Sequence, residues 1–339
     1  MNTSRKLALA ALAAAPLALT AHAQAPLTYS SWVPPTHHLT IWQANWAADV
    51  EKATGGRVKF QGLPKAPAAP PGTFDAVRDG LVDLSYVTAS YTPARHILPL
   101  MAELPGAGET AEINSVAFSR IHWKHFQKVG EYKGVKLLAV WTHGPGQMFT
   151  KKQIHSLNDF QNLKIRTGGG ISAEVITALG GSPFFKPAPE SYELLNSGVA
   201  DGVFFPLESI VSFKLDKVIG QGTIFPGGLY SSSFGFFINE DKWNKLARQD
   251  QAIIEKYAGE YAARSNGQSW DKADQLGLNA LKAAGARIVT ADPAMRAEAQ
   301  KRSGPIIEDW IKKASAKGVD AKAILAEFHA ELKKVAAGK

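Results

Sequence analysis

The chain has 339 residues, a formal net charge of +8 and no cysteine. The lack of cysteine excludes disulfides, thiolate metal sites and thiol catalysis, and a chain of this length can bury enough apolar surface to fold without such cross-links. The basic residues are scattered, with no Lys/Arg run interleaved with aromatic residues, so nucleic acid is a poor candidate partner, whereas an excess of positive charge suits an anionic ligand.

The first 23 residues show the three parts of a secretory signal peptide. Arg5 and Lys6 provide a positive start, residues 7–20 form an apolar run of mainly Ala and Leu, and Ala21-His22-Ala23 is a small-x-small cleavage site. The apolar run is shorter than the roughly 20 residues that span a bilayer. Because no cysteine follows it for lipid attachment, cleavage before Gln24 predicts a protein that is free in the periplasm.

The segments after the cleavage site alternate between strand and helix patterns. Apolar residues at alternating or helical spacing define each segment, and glycine or proline clusters separate them. In chain order we predict strands at 27–31, 57–60, 84–88, 135–141, 163–166 and 202–205, helices at 39–53, 74–78, 172–179, 190–196, 250–284 and 320–337, and an exposed Pro/Ala-rich connection at 65–72. The segment 250–284 is either one long helix or two abutting ones. This alternation predicts an α/β protein with mainly parallel sheets.

A short pattern occurs twice and suggests two similar α/β halves. In each copy a helix is followed by a glycine, and an aspartate three residues later leads into a strand. Glycine is favoured past a helix end because it takes the left-handed conformation without a Cβ clash. The first copy contains Gly80 and Asp83, and the second contains Gly198 and Asp201.

The glycine-rich turn at 167–170 follows a predicted strand and opens a predicted helix. Its backbone N–H groups would face an anion at the helix start, and Arg166 precedes them directly. The turn and Arg166 together predict an anion-binding site; an Arg166 that only forms a surface ion pair is the open alternative. Gly168-x-Gly170-x-x-Ala173 also matches a loose dinucleotide fingerprint, but no acidic residue ends a second strand at the distance that a ribose contact requires. We therefore predict no nucleotide cofactor.

Metal ligation and nucleophilic catalysis find little support. His122 and His125 lie three residues apart on a predicted helix but lack an acidic companion at ligand spacing, and the adjacent His37 and His38 are expected to point to different sides. The three serines at 231–233 belong to no Gly-x-Ser-x-Gly elbow. We predict no metal, no other cofactor and no catalytic serine.

Four sequence elements together resemble one known family. They are EKATGGRV at 51–58, Gly80-x-x-Asp83, NDFQNLKIR at 158–166, and Glu190-x-Tyr192 followed by GVADG at 198–202. Over nearly all of the mature chain the sequence resembles the extracytoplasmic solute receptors of tripartite ATP-independent periplasmic (TRAP) transporters.

The resemblance implies an α/β, two-lobed periplasmic binding protein fold that closes over its ligand, with a long helix running across both lobes. With a signal peptide at 1–23, we expect one lobe at 24–145 plus 231–275 and the other at 146–230 plus 276–339. The family arginine that pairs with the ligand carboxylate falls on Arg166. A guanidinium suits this role because its fork matches two carboxylate oxygens.

Two departures from the family pattern point to the class of ligand. Many members carry a second arginine shortly after the hinge strand, where this chain has Gly146. Many also read Asp-Gly-x-Glu-Asn-Pro, and here Phe205 replaces the asparagine that would bond the ligand. A sugar acid or a dicarboxylate would leave polar groups unpaired there, at about 1–3 kcal/mol each. The departures favour a monocarboxylate with an aromatic or bulky apolar body.

We accordingly predict a solute receptor, not an enzyme, that delivers a small organic acid to a TRAP membrane permease. The predicted ligand-binding residues are Arg166 for the carboxylate, Gln147 and Thr88 for a 2-oxo or 2-hydroxy group, Trp32, Tyr91 and Phe205 for the apolar body, and Trp141 as a further candidate. Two alternatives remain. One is a receptor that presents its ligand to a membrane sensor, and the other is a periplasmic enzyme that uses Glu208 or His143.

Overall fold

Two β-sheets form the centres of the two lobes. The computed structural model describes residues 25–339, so the predicted signal peptide at 1–23 lies outside the described residues. The first sheet has the order β2-β1-β3-β10-β4, with β1 (Leu27–Tyr29), β2 (Phe60–Gly62), β3 (Leu84–Thr88), β4 (Val135–Thr142) and β10 (Ser233–Asn239). The second has the order β11-β9-β5-β8-β6-β7, with β5 (Gln147–Thr150), β6 (Lys164–Thr167), β7 (Ser182–Phe185), β8 (Gly202–Phe205), β9 (Gln221–Ile224) and β11 (Arg287–Thr290). We call each sheet with the helices packed on it the first and the second lobe.

Helices surround both sheets and confirm the predicted α/β class. They are α1 (His38–Ala53), α2 (Thr73–Arg78), α3 (Ala111–Ile121), α4 (Gly170–Ala178), α5 (Ser191–Asn196), α6 (Ser209–Ser212), α7 (Glu240–Lys245), α8 (Arg248–Lys256), α9 (Gly259–Ala283), α10 (Pro293–Ser315) and α11 (Ala321–Ala336). The segment predicted as one long helix or two is two abutting helices, α8 and α9. Across the described residues, none of these helices combines the length and apolar character that a membrane crossing requires.

Each sheet is mixed, whereas the sequence predicted mainly parallel sheets. In the first sheet β10 runs antiparallel to β3 and β4, and in the second β5 runs antiparallel to β8 and β9. These strands flank the short crossovers between lobes, 143–146 from β4 to β5 and 225–232 from β9 to β10. The chain thus changes sheets directly, without the intervening helix that a parallel connection requires.

The repeated helix-Gly-x-x-Asp-strand pattern has the same structure in both lobes. Both glycines are left-handed, with φ of 76° and 75°. Oδ2 of Asp83 accepts a hydrogen bond from the N–H of Thr28 in β1 at 2.7 Å, and Oδ2 of Asp201 accepts one from the N–H of Lys164 in β6 at 2.8 Å. Each aspartate therefore ties its own strand to the parallel neighbour, and the predicted similarity of the two halves is present in the fold.

Helix α9 runs across both lobes, as the resemblance implied. It packs on α1, α3 and β4 of the first lobe and on α6 and β11 of the second. Two of its glycines allow these close contacts. A Cβ atom at Gly267 would lie 2.5 Å from Cα of Glu112, and one at Gly277 would overlap the carbonyl oxygen of Leu207. The helix therefore touches backbone in each lobe with no side chain between.

The last helix bears on the predicted lobe boundaries. All strands of the first sheet fall within 24–145 plus 231–275, and all strands of the second fall within 146–230 plus 276–339. However, α11 packs against α3 of the first lobe, although its residues were assigned to the other lobe. The boundaries stay a prediction, and the contacts of α11 favour assigning this helix to the first lobe.

Two buried histidines should make the fold sensitive to acid. Burial lowers the pKa of His96 and His122 to about 3, below the value of about 6.5 expected in the unfolded chain. Stability from such a group is present above pH 6.5 and is lost as the pH falls towards 3. For each histidine, the free energy of unfolding should fall by about 2 kcal/mol between pH 7 and pH 5.

The variant His122→Phe should remove one such contribution, because phenylalanine binds no proton in the unfolded chain. Urea denaturation at pH 7 and pH 5, compared with wild type, cancels the other titrating groups. The exposed His155→Asn serves as the control for the loss of a histidine outside the core. An unchanged pH difference in His122→Phe would contradict the assignment of a depressed pKa.

Candidate ligand-binding site

A cavity lies between the two lobes, where loops at strand ends meet. Five of the seven predicted residues line it, namely Arg166, Phe205, Trp32, Thr88 and Tyr91. Further lining residues, which were not predicted to bind a ligand, include Tyr230, Ser90, Ser232, His37, Phe234 and Trp270. The site is thus mainly aromatic, with several hydroxyl groups and a guanidinium, at the edge of the sheets where open α/β folds bind ligands.

Arg166 is a buried cation. It lies in β6 and is 2% exposed. Its Nε and Nη2 donate to the carbonyl oxygen of Lys186 at 2.9 and 2.7 Å, and its guanidinium carbon lies 4.4 Å from the ring centre of Phe205. Within residues 25–339, no carboxylate oxygen lies within 4.0 Å of it. The alternative of a surface ion pair is therefore wrong.

The surroundings of Arg166 favour an anion. Burial lowers the pKa of its guanidinium, and the nearby hydroxyls of Tyr91 and Tyr230 partly oppose this effect. A buried charge without a partner is costly, and an opposite charge with good geometry offsets much of that cost. A carboxylate matches the edge of the guanidinium that the carbonyl oxygen of Lys186 leaves free, next to the Tyr91 hydroxyl.

Aromatic rings form the walls next to the cation. The Nε1 of Trp32 donates to the carbonyl oxygen of Tyr86 at 2.9 Å, and its ring meets Tyr91 edge-on with centroids 5.7 Å apart. Phe205 stacks on Phe213 at 5.5 Å and 21°. These contacts fix the rings in place, so the cavity offers rigid apolar faces beside one cation.

Gln147 and Trp141 do not line the cavity, which corrects two of the predicted site residues. Both ends of the Gln147 amide bond the backbone of Phe225, with Nε2 donating to its oxygen at 3.2 Å and Oε1 accepting from its nitrogen at 2.7 Å. Trp141 is fully buried in the first lobe, between Trp42 and Phe234. The Gln147 amide is therefore occupied by backbone, and Nε1 of Trp141 is buried away from the cavity.

The glycine-rich turn brings the two lobes together. A Cβ atom at Gly169 would lie 2.8 Å from the carbonyl oxygen of Ser90 in the first lobe, so glycine permits this approach. The N–H of Gly169 donates to Oγ1 of Thr167 at 3.1 Å rather than facing an anion. Nearby, the Tyr91 hydroxyl accepts from the N–H of Ala188 at 2.9 Å across the cleft. The lobes are thus in contact over the cavity.

Two buried carboxyl groups support the cavity wall. His37 accepts from the N–H of Leu39 through Nδ1 at 3.2 Å, so its Nε2 carries the proton and donates to Glu208 at 3.1 Å. Glu103 accepts from the hydroxyl of Ser90 at 2.8 Å. Burial raises the pKa of both Glu208 and Glu103 to about 7. The His37–Glu208 pair links the two lobes, whereas the Ser90–Glu103 pair lies within the first lobe.

The geometry at His37 and His38 departs from the sequence prediction that they point to different sides. Their rings stack, with centroids 4.8 Å apart and planes at 30°. Ligand atoms of both and of Glu208 lie within 4.8 Å of one another. Both rings already have hydrogen-bond partners, since His37 bonds Leu39 and Glu208, and Nδ1 of His38 bonds the hydroxyl of Ser269. The arrangement suits hydrogen bonding better than a shared ion.

Comparison with known proteins identifies the family. The profile of "Bacterial extracellular solute-binding protein, family 7" matches residues 29–313. This chain belongs to that family. A TRAP periplasmic solute-binding protein from Bordetella bronchiseptica, solved with bound (R)- and (S)-mandelate, is 46% identical, with 92% of this chain and all of that chain covered and a TM-score of 0.90.

Two further relatives of this family 7 protein extend the comparison. A TRAP solute-binding protein from a marine metagenome, described as specific for aromatic acids and solved with 3-hydroxybenzoate, is 30% identical over 91% of this chain and 98% of its own, with a TM-score of 0.84. The protein named outer membrane transporter protein TsaT of Comamonas testosteroni is 30% identical over 98% of each chain. The predicted resemblance to TRAP receptors is confirmed.

Proposed function

We propose that this protein captures an aromatic monocarboxylate in the periplasm and delivers it to a TRAP permease. The observation that carries the proposal is Arg166, a buried cation that lacks a carboxylate partner within the described chain and lies against the ring of Phe205. An arylcarboxylate would pair its anionic group with the guanidinium and place its ring against the aromatic walls.

The charge of the cavity supports a ligand with one negative charge. Arg166 is the one Lys or Arg among the described residues that line it, and Asp and Glu are absent from that lining. Burial lowers the pKa of His37 to about 3 and that of His143 to about 4, so both are neutral at pH 7. A dicarboxylate would therefore bring a second charge that no lining cation balances, whereas a monocarboxylate would not.

The relatives support the aromatic body. The Bordetella protein was solved with mandelate and the marine protein with 3-hydroxybenzoate, both aromatic monocarboxylates. Phe205, which replaces the polar residue of many family members, stacks with Phe213 and forms an apolar face next to Arg166. Such a face favours a ring over the hydroxyl groups of a sugar acid.

The family and the first residues of the chain support the proposed location and role. An extracytoplasmic family and a signal-peptide pattern at 1–23 support export to the periplasm, with the mature protein beginning near Gln24. We propose that the ligand is released unchanged. The enzymatic alternative named Glu208 and His143, but Glu208 bonds His37 and two serines, and His143 bonds the carbonyl oxygen of Gly144. Mass spectrometry of recovered ligand would detect turnover.

Titration with a panel of acids tests the proposed ligand class. Benzoate, (R)-mandelate and 3-hydroxybenzoate should each give a saturable change in tryptophan fluorescence, because Trp32 and Trp270 line the cavity. Succinate and glucuronate should bind at least about 100-fold more weakly, since an unpaired buried charge or several unpaired hydroxyls cost some 3 kcal/mol or more.

Two variants assign the fluorescence signal. Trp32→Phe should reduce the ligand-dependent change, whereas Trp310→Phe should leave it intact. Trp310 lies away from the cavity in α10, where it is buried and its Nε1 donates to the carbonyl oxygen of Ile97. A clear response to succinate with none to any aromatic acid would overturn the proposal.

A further inference from the structure

Tyr230 is a cavity residue that none of the sequence motifs contains. It lies in the crossover 225–232 and is 5% exposed. Its ring stacks on Phe204 at 5.8 Å and 14°, and it meets the His143 ring edge-on at 5.5 Å. These contacts fix the ring at the cavity, and its hydroxyl forms no hydrogen bond with any other described residue.

Gly146 makes room for that ring. The two residues form an isolated antiparallel bridge, in which the N–H of Gly146 donates to the carbonyl oxygen of Tyr230 at 2.8 Å. A Cβ atom at position 146 would lie 2.5 Å from Cδ1 and 2.7 Å from Cζ of Tyr230, closer than van der Waals contact allows. The Tyr230 ring therefore occupies the space that any larger side chain at position 146 would need.

Hydroxyl donors converge on Arg166 from both sides of the cleft. Tyr91 comes from the first lobe and Tyr230 from the crossover, and both act on the pKa of the Arg166 guanidinium. The Tyr91 hydroxyl accepts from Ala188, which leaves its own proton to donate. Burial raises the pKa of Tyr230, so that hydroxyl stays protonated at neutral pH. Two O–H donors and a guanidinium thus surround a space that no carboxylate of the described chain lines.

We propose that Tyr230 donates a hydrogen bond to the ligand carboxylate beside Arg166, and that Gly146 is required so that the ring can reach this position. A neutral donor stabilises the carboxylate without adding a second positive charge. The Gly146–Tyr230 pair thereby tunes the cavity to a singly charged acid. This inference rests on the proposed function and names a specificity-determining pair within the same site.

The variant Tyr230→Phe removes the hydroxyl and keeps the ring. Calorimetry with benzoate should show affinity about 10- to 150-fold below wild type, the range for loss of a hydrogen bond to a charged group. Tyr132→Phe is the matched control, because Tyr132 is also a buried tyrosine but lies in the first-lobe core away from the cavity. Its affinity should stay within about twofold of wild type, as expected for a group outside the site.

The variant Gly146→Ala tests the steric half of the inference. In the wild-type background it should weaken benzoate binding at least about tenfold, because the added Cβ displaces the ring and its donor. In a Tyr230→Ala background, where no ring remains to be displaced, the same substitution should change affinity by less than about twofold. Circular dichroism and thermal melts check that each variant is folded.

The outcomes separate the two proposals. If wild type binds benzoate and (R)-mandelate but Tyr230→Phe binds them within twofold as well, the role of Tyr230 is overturned and the proposed function stands. If wild type binds no aromatic monocarboxylate, the proposed function itself fails. Equal losses of benzoate affinity from Gly146→Ala in both backgrounds would overturn the steric coupling between Gly146 and Tyr230. The affinity of Tyr230→Phe then tests only whether the Tyr230 hydroxyl donates to the ligand.

Discussion

Arg166→Ala should abolish high-affinity binding of aromatic acids and leave the protein folded. Removing one member of a buried, hydrogen-bonded charge pair typically costs about 2–5 kcal/mol, or roughly 30- to several-thousand-fold in affinity. The ligand-free protein should melt within a few degrees of wild type, because the guanidinium has no carboxylate partner to lose within the described chain. Arg166→Lys should recover only part of the affinity, since an ammonium cannot form the two-pronged contact.

Arg264→Ala provides the matched control for the loss of an arginine. Arg264 lies on α9, is 41% exposed, and pairs with Glu112 and Glu260. Loss of such a surface pair costs about 0–1 kcal/mol of stability and should leave ligand affinity alone. Calorimetry with benzoate on wild type and the three variants decides the matter. Wild-type affinity in Arg166→Ala would mean that the carboxylate binds elsewhere.

Gly277→Ala should destabilise the protein and weaken ligand binding together. The new Cβ would overlap the carbonyl oxygen of Leu207, and a backbone atom cannot move aside as a flexible side chain can. Overpacking of this kind costs about 1–3 kcal/mol and occasionally more. The clash would also push α9 away from Glu208, whose N–H donates to Asp274 of α9 at 2.7 Å. Because Glu208 pairs with His37 over the cavity, the contact between the lobes and the affinity for the ligand should be weakened too.

Gly304→Ala is the control for a glycine within a helix. Gly304 lies in α10, and no atom lies within 4 Å of the position that its Cβ would take. Alanine there should be neutral or stabilising by up to about 1 kcal/mol, because it reduces the freedom of the unfolded chain. Urea denaturation gives the free energies of unfolding. A Gly277→Ala protein as stable as Gly304→Ala would argue against close packing of α9 on the second lobe.

Sequence reasoning located the elements whose patterns are local. Helices α1 and α2 and strands β3 and β8 lie within a residue or two of their predictions, because a glycine follows each helix and a Gly-x-x-Asp pattern precedes each strand. Strand β10 was missed because its seven buried residues show no alternation between an inner and an outer face, and no Gly-x-x-Asp pattern marks its start. Strand β9 is only four residues long and carries too little pattern to detect.

The break between α8 and α9 was predicted only as an open alternative. Gly259 adopts φ of 54° as the first residue of α9, a conformation that starts a new helix direction. The sequence marks this position with a single glycine, and glycine also occurs inside α9 at Gly267 and Gly277. What distinguishes the three is tertiary contact, because the latter two face backbone of other elements.

The same distinction between local pattern and tertiary contact applies to the residues of the candidate site. Arg166 and Phe205 were predicted because each ends a strand in a recognisable motif, and strand ends are where such folds bind ligands; the structure places both in the cavity lining. Gln147 was misplaced because its partner, Phe225, lies 78 residues away and uses both ends of its amide. Tyr230 was missed because it lies in a crossover without periodicity, and its only signal is the matching gap at Gly146.

A crystal structure of the protein with benzoate tests the central claim most directly. We predict the carboxylate on the guanidinium of Arg166, within hydrogen-bond distance of the Tyr230 hydroxyl, and the benzoate ring against Phe205 and Trp32. Benzoate bound outside this cavity, or an Arg166 that pairs with a carboxylate of the protein while the ligand is bound, would contradict the account.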